Sequence, residues 1–157
     1  MESGWQNFAL KRGESPGMRF LMFRQWLAVM LGVNRPDVVV YEQAHHRGGA
    51  ATEVGVGLTT RVQEECASRD IPYAAVHTAT LKKWATGSGR ASKQDMMARA
   101  SEIAGRDIPS DDEADAICLL DYGLAMYGGK VLALDCGTKT GWAVGSQTTP
   151  NGEEAKP

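Results

Sequence analysis

Carboxylates occur at three places where the sequence predicts the start or the end of a secondary-structure element. Asp135 follows the apolar run 131–134 and precedes a glycine-rich turn. Glu42 ends the apolar run 38–41. The third group lies at the start of a predicted helix and comprises Asp111, Asp112, Glu113 and Asp115. If such hard oxygen ligands converge, they suit Mg²⁺ or Mn²⁺ and do not suit zinc.

Each of these acids also has a simpler structural explanation. An aspartate after a strand usually forms a turn, and acids in a first helical turn stabilise the helix dipole, the role expected for Asp111 and Glu113. Glu42 is harder to explain, because a charge at the end of an apolar strand is costly unless it is paired or metal-bound. The spacing of Asp112 and Asp115 puts both on one helix face. Together the three sites indicate a metal centre more strongly than any one alone.

A basic segment runs from residue 80 to residue 93 and contains no acid. Its four positive charges are Lys82, Lys83, Arg90 and Lys93. Its glycines would let the backbone approach a phosphate chain, although a solvated loop explains this composition equally well. A second loop-like segment, His45-His46-Arg47, could also face a nucleic acid. Without a cysteine partner, its histidines are a weak zinc signal.

Length and composition set broad limits. The 157 residues suit one ordinary domain, and 43% hydrophobic with 23% charged residues is typical of a soluble globular protein. Cys66, Cys118 and Cys136 lack metal-ligand spacing, which predicts reduced thiols and a cytoplasmic protein. No apolar run approaches the roughly 20 residues of a membrane helix, and no signal peptide is recognisable. The net charge of −2 means that a nucleic-acid function must depend on local charge.

Alternating strand and helix signals predict a single α/β domain over residues 1–157. Strands are predicted at 5–10, 36–41 and 71–76, followed by a hairpin within 131–144. Helices are predicted at 16–32 after an Ser15 N-cap, at 51–68, from Ser92 to Gly105, and at 110–128, where Ser110 and Glu113 suggest a capping box. Residues 80–93 are predicted to be a loop, and residues 146–157 a polar, disordered tail.

Four of these segments resemble the RuvC-type Holliday junction resolvases, with phage and prophage members nearest in pattern. They are Val-Val-Tyr-Glu42-Gln, the basic segment from Leu-Lys82-Lys83 to Ser-Lys93, Asp112-Glu-Ala-Asp115-Ala, and Leu-Ala-Leu-Asp135-Cys-Gly. The resemblance covers nearly all of residues 13–144. It implies a ribonuclease-H-like mixed sheet flanked by helices, a homodimer, and cleavage of four-way DNA junctions with two Mg²⁺ or Mn²⁺ ions per site.

The resemblance also implies residue roles. The metal ligands would be Asp135, Glu42, Asp112 and Asp115, and the catalytic set would add Lys82 and Lys93. DNA contacts would come from Lys82, Lys83, Arg90, Lys93 and Arg47, with His45 at the place of a junction-stacking aromatic residue. The dimer helix would be 51–68, where Gly55 and Gly57 would permit close helix approach.

The order of the segments differs from that of the family. The strand with the first aspartate opens the family's sequence, whereas here it comes last. The sequence therefore resembles a circular permutant in which the usual ends are joined through residues 127–130. The new ends would fall in an exposed turn between the second and third family strands, where permutation is tolerated.

Two other functions remain open at this point. Asp135-x-Gly137-Thr-x-Thr-Gly141 also resembles the phosphate-binding hairpin of the actin and sugar-kinase ATPases, although those folds need two such domains. A junction-binding module without catalysis is the second, and retention of all four acids argues against it.

Overall fold

The computed structural model describes residues 1–44 and 48–147. Within these residues, five strands form one sheet that five helices flank. The strands are β1 Glu2–Asn7, β2 Val38–Glu42, β3 Tyr73–Val76, β4 Gly129–Asp135 and β5 Lys139–Gln147. The helices are α1 Gly17–Asn34, α2 Gly49–Ala67, α3 Thr78–Thr86, α4 Lys93–Ala104 and α5 Asp111–Tyr127. No helix in the described part of the chain has the length and apolar character needed to cross a membrane.

The sheet is mixed, with the strand order β1-β5-β4-β2-β3. β5 runs antiparallel to both β1 and β4, whereas β2 runs parallel to both β4 and β3. Val38 pairs with Val131 and Tyr41 pairs with Leu134. Because β2 and β4 are parallel neighbours in this register, their carboxyl ends lie side by side at one edge of the sheet.

Helices cover both faces of the two central strands. One face packs against α3, α4 and α5 and carries Val38, Val40, Val131 and Ala133. The opposite face packs against α1 and α2 and carries Val39, Tyr41, Leu132 and Leu134. Burial on both faces explains why these strands are continuously apolar in sequence rather than alternating.

The predicted ends of α4 and α5 are confirmed. Ser92 caps α4 in a capping box with Asp95, and Gly105 ends it in the left-handed conformation with φ of 70°. α5 ends at Tyr127, and Gly128 and Gly129, with φ of 65° and 64°, turn the chain directly into β4. Glycine adopts these positive φ values without the steric cost that other residues would incur.

Two other helix ends were predicted wrongly. Ser15 does not cap α1, because Pro16 occupies the cap position in helical conformation. The same helix continues past Gly32 to Asn34 before Arg35 turns left-handed.

The capping box predicted for α5 forms only in part. Ser110 caps the helix, because its hydroxyl accepts a hydrogen bond from the Glu113 amide at 3.3 Å. The Glu113 carboxylate does not complete the capping box. It accepts hydrogen bonds from Ser3 and Arg106 instead.

The prediction of a loop over residues 80–93 was wrong for its first half. α3 extends through Thr86, and only residues 87–92 connect it to α4. Leu81 and Ala85 lie four residues apart on α3 and are both buried, so their burial stabilises a helix in a segment of polar composition. Lys82 and Lys83 are therefore helical residues.

The other strand ends also differ from the predictions. β1 spans Glu2–Asn7 rather than residues 5–10, because pairing with β5 extends from Glu2 opposite Val144 to Asn7 opposite Lys139. β5 includes the first two residues of the predicted tail, since Ser146 pairs with Lys130 and Gln147 pairs with Gly129. The rest of the predicted tail, 148–157, lies outside the described residues.

Gly57 of α2 packs within the chain. A side chain at this position would overlap the ring of Phe20 on α1. The close helix approach that Gly57 permits is therefore with α1 of the same chain, and this glycine does not support the prediction that α2 is the dimer helix. The α2 side chains that pack into the core are Leu58, Val62 and Cys66, which are fully buried, and Val54, which is partly buried.

Candidate active site

Glu42, Asp115 and Asp135 converge at the carboxyl ends of β2 and β4. One carboxylate oxygen of each residue lies within 4.8 Å of the corresponding oxygens of the other two. Glu42 and Asp135 continue the alternation of Val38, Val40, Val131 and Ala133, so both project from the face covered by α5. Asp115 reaches them from the first turns of that helix. The structure thus brings three of the four predicted metal ligands into one cluster.

Gly141 allows α5 to come this close. It lies on β5 directly opposite Asp135. A side chain at Gly141 would overlap the backbone carbonyl of Asp112, in the first turn of α5. In the sequence, Gly141 belongs to a pattern that resembles a phosphate-binding hairpin, and that pattern does not indicate this packing role. Its only sequence signal is a glycine inside a strand, which often marks close approach of another backbone.

The electrostatics of the cluster reflect crowded negative charge in a partly buried place. Burial, and then the negative charge of Glu42, raise the pKa of Asp115 to about 7. Burial, followed by the charges of Glu42 and Asp115, also raises the pKa of Asp135 well above its usual range. Lys82 acts in the opposite sense and lowers the pKa of Asp115. A divalent cation would offset this repulsion, and three carboxylate oxygens match the ligands that Mg²⁺ and Mn²⁺ prefer.

Asp112 lies at the periphery of the cluster and is not among the three carboxylates that approach within 4.8 Å. Burial and the neighbouring Asp111 raise its pKa, whereas Lys139 and Lys93 lower it. Its negative charge still contributes to the raised pKa values of Asp115 and Asp135. The helical spacing put Asp112 and Asp115 on one face, as predicted, but only the residue one turn further along α5 enters the cluster.

Two predicted lysines lie beside the acids. Lys82 and Lys93 line a cavity of about 200 Å³ that also reaches Glu42 and Asp115. The Lys93 ammonium lies 3.2 Å from Asp111, with 78% of its side chain exposed. Lys82 is partly buried on α3. Positive and negative groups therefore meet across one small cavity.

The other predicted DNA-binding residues either line neither cavity at the cluster or lie outside the described residues. Lys83 is exposed on α3, and Arg90 is exposed in the connection to α4. His45 and Arg47 fall between residues 44 and 48 and lie outside the described residues.

A second, larger cavity gives access to the cluster. It measures about 400 Å³ and is lined by Glu42, Asp115, Asp135 and Cys136, together with residues of α2. Burial, and then the negative charges of Asp135 and Glu42, raise the pKa of the Cys136 thiol and favour its protonated form. The chemistry available here is that of oxygen ligands and ammonium groups.

The sheet combines an antiparallel half, β1-β5-β4, with a parallel half, β4-β2-β3, and acids end the two strands where these halves meet. This arrangement is a ribonuclease-H-like fold. No family profile matches the chain. Its fold matches that of RuvC from Thermus thermophilus, with a TM-score of 0.62 at 19% identity over 74% of each chain. A second match is T. thermophilus RuvC in complex with Holliday junction substrate, with a TM-score of 0.60 at 21% identity over 71% of this chain and 70% of that one.

Sequence comparison also finds RuvC proteins, from other organisms. The crossover junction endodeoxyribonuclease RuvC of Streptomyces avermitilis is 31% identical over 106 residues, which are 66% of this chain and 60% of the relative. That of Streptomyces coelicolor is 33% identical over 107 residues, 66% of this chain and 56% of the relative. The chain thus aligns with about 60% of the length of these curated relatives. The chain is therefore similar to RuvC proteins in sequence and in fold, which confirms the predicted resemblance and the ribonuclease-H-like sheet.

Proposed function

We propose that this chain is a structure-specific endodeoxyribonuclease that cuts four-way DNA junctions by metal-assisted phosphodiester hydrolysis. The observation that carries the proposal is the convergence of Glu42, Asp115 and Asp135 beside two lysines. Similarity to crossover junction endodeoxyribonucleases supports the substrate class.

The acids would hold two Mg²⁺ or Mn²⁺ ions, with Glu42, Asp115 and Asp135 as the main ligands and Asp112 contributing from the periphery. Ions bound there would supply an activated water and stabilise the leaving 3′ oxygen. Lys82 would place its ammonium near the negative charge that develops on the phosphate during the reaction. The partial burial of the carboxylates fixes their positions, and the larger cavity leaves them accessible to a DNA strand.

The remaining basic residues would hold the DNA backbone. Lys93, Lys83 and Arg90 are exposed, and His45 and Arg47 follow Glu42 in sequence. Their charges would neutralise phosphates without needing a fixed geometry. A four-way junction presents two symmetry-related strands for cleavage, so we also propose a two-fold homodimer with one site per subunit.

We further infer that the chain is circularly permuted relative to the family. The central strand β4 comes after β2, β3 and all five described helices in the sequence, yet it lies between β2 and β5 in the sheet. The glycine pair 128–129 joins α5 to β4 without a longer connection.

The deciding experiment is cleavage of a synthetic four-way junction, with linear duplex of the same sequence as the control substrate. We expect cleavage of the junction alone, in Mg²⁺ or Mn²⁺ and not in EDTA. Asp107→Asn serves as a control, because Asp107 is an exposed acid outside the cluster. Junction binding without cleavage in either metal would favour the binding module, and equal cutting of linear duplex would remove the structure specificity.

A further inference from the structure

Thr78, the first residue of α3, contacts the metal cluster through its side chain. Its hydroxyl donates a hydrogen bond to Oε1 of Glu42. The contact follows from the sheet, because Glu42 pairs with Val76 on β3, and Thr78 comes two residues after that strand partner. A carboxylate has no proton to give, so the hydroxyl is the donor in this pair.

The hydroxyl is carried by a firmly packed element. Leu81 and Ala85 fix α3 on the core, with exposures of 1% and 8%. Lys82 lies four residues after Thr78, so one face of α3 presents a hydroxyl and an ammonium to the same cavity. The Thr78 hydroxyl hydrogen-bonds Glu42, whereas the Lys82 ammonium lowers the pKa of Asp115.

Glu42 needs such a restraint. Its side chain has several rotatable bonds, and one of its carboxylate oxygens must stay within 4.8 Å of oxygens of Asp115 and Asp135 for the three acids to share a cation. A hydrogen bond to one carboxylate oxygen fixes the plane of the carboxylate and leaves its remaining lone pairs for a cation. Mutation of groups that orient metal ligands in this way typically weakens metal affinity or activity about 10- to 100-fold.

We propose that Thr78 is a positioning residue that holds Glu42 in its metal-binding orientation and thereby sets the affinity of the site for divalent cations. This inference rests on the proposed function, because it assumes that Glu42 is a metal ligand. The hydroxyl acts through Glu42 and does not contact the reacting phosphate.

The test is calorimetric titration with Mn²⁺ in the absence of DNA. Thr78→Val keeps the shape and removes the donor, so its Kd for Mn²⁺ should rise about 10- to 100-fold. Thr78→Ser keeps the donor and should stay close to the parent. Thr86→Val is the matched control, because Thr86 is on the same helix about 12 Å further along its axis and bonds the Lys82 carbonyl. Thr78→Ala replaces Thr78→Val if thermal melting shows that the valine variant is unfolded.

Cleavage gives a second readout. Thr78→Val should need a higher Mn²⁺ concentration for half-maximal cleavage and recover most of the parent rate at saturation, with junction binding in EDTA unchanged. Parent-like Mn²⁺ affinity in Thr78→Val would overturn the role of Thr78 alone, and so would equal losses in Thr78→Ser and Thr78→Val. If the parent and Glu42→Gln both fail to bind Mn²⁺, the proposed metal site is wrong as well.

Discussion

The acidic cluster and the basic residues around it differ in how the fold holds them. The three clustered acids come from β2, β4 and α5, and their positions are fixed by strand pairing and by the packing of α5 against β5. The basic residues, together called the basic surface, belong to α3, the following connection and the start of α4, and Lys93, Lys83 and Arg90 are exposed. The proposed metal-binding role of the acids therefore requires fixed positions, whereas the proposed DNA-binding role of most of the basic residues requires only their charge.

Lys82 belongs to both regions. It is part of the basic segment in sequence, but it is partly buried, lines a cavity with Glu42 and Asp115, and lowers the pKa of Asp115. Substitutions should accordingly fall into two groups, with abrupt losses of cleavage in the cluster and gradual losses of binding on the basic surface. Lys82 should behave like a member of the cluster.

The largest effect is expected for Asp135→Asn, which keeps the shape of the side chain and removes a central charge. Cleavage should fall by orders of magnitude because a proposed metal ligand is lost. Junction affinity should persist or improve, since the basic surface is intact and repulsion of phosphates is reduced. Single-turnover cleavage together with a gel-shift titration measures both. Cleavage at the parent rate would contradict the metal-site assignment.

Gly141→Ala tests whether the cluster depends on backbone approach. The added methyl group overlaps the Asp112 carbonyl, so α5 must shift away from β5. We expect destabilisation of about 1–3 kcal/mol or more, together with a loss of cleavage. Gly32→Ala is the control, because a side chain there meets no atom within 4 Å and should be neutral or slightly stabilising. Urea unfolding measures the difference, and equal stabilities of the two variants would argue against the close approach.

Lys82→Ala and Arg90→Ala should separate the two regions. Lys82→Ala should reduce the cleavage rate about 100-fold with little change in affinity, because its ammonium faces the cluster. Arg90→Ala should weaken binding and lower the slope of log affinity against log salt by about 1. Cleavage rates at saturating enzyme and binding isotherms at several salt concentrations provide the comparison. If both variants changed affinity alone, Lys82 would be an ordinary backbone contact.

A smaller effect is expected on the pH dependence of stability without metal. The pKa of Asp115 is about 7 in the folded protein and about 3.9 in an unfolded chain. Between these values the folded state binds more protons, so the free energy of unfolding should decrease as pH rises from about 4 to 7. Asp135 acts in the same sense. Melting in EDTA across this range should show the decrease, and Asp115→Asn should flatten it. An increase in stability toward pH 7 that Asp115→Asn abolishes would contradict the raised pKa.

The central strands and the acids at their ends could be predicted because their sequence signals are local. The apolar runs before Glu42 and Asp135 indicate strands buried on both faces, and Ser92 and Gly105 are local signals for the ends of α4. Helix α3 was not predicted, because it is stabilised by the packing of Leu81 and Ala85 against residues of other elements. The peripheral position of Asp112 could not be predicted either, since helical spacing gives the face of a residue and not its distance from another strand.

Contacts between distant residues account for the other differences. Glu113 accepts hydrogen bonds from Ser3 at 2.8 Å and from Arg106 at 2.7 Å, and Ser3 is 110 residues away in sequence. Its position in a first helical turn indicates a capping box, and only the folded arrangement of β1 against α5 reveals the competing partners. The roles of Gly141 and Thr78 likewise depend on which backbone or carboxylate lies opposite them.

The position of Glu42 depends on whether the number of residues before it in β2 is odd or even. Side chains alternate between the two faces of a strand, so one residue inserted between Val38 and Glu42 would exchange the faces of every residue after it. Because both faces are apolar, the strand could still be buried, but Glu42 would point toward α1 and α2 instead of toward Asp115. An insertion of two residues would restore the face and move Glu42 by about 7 Å along the strand. Within this strand, substitution is therefore tolerated more easily than any change in length.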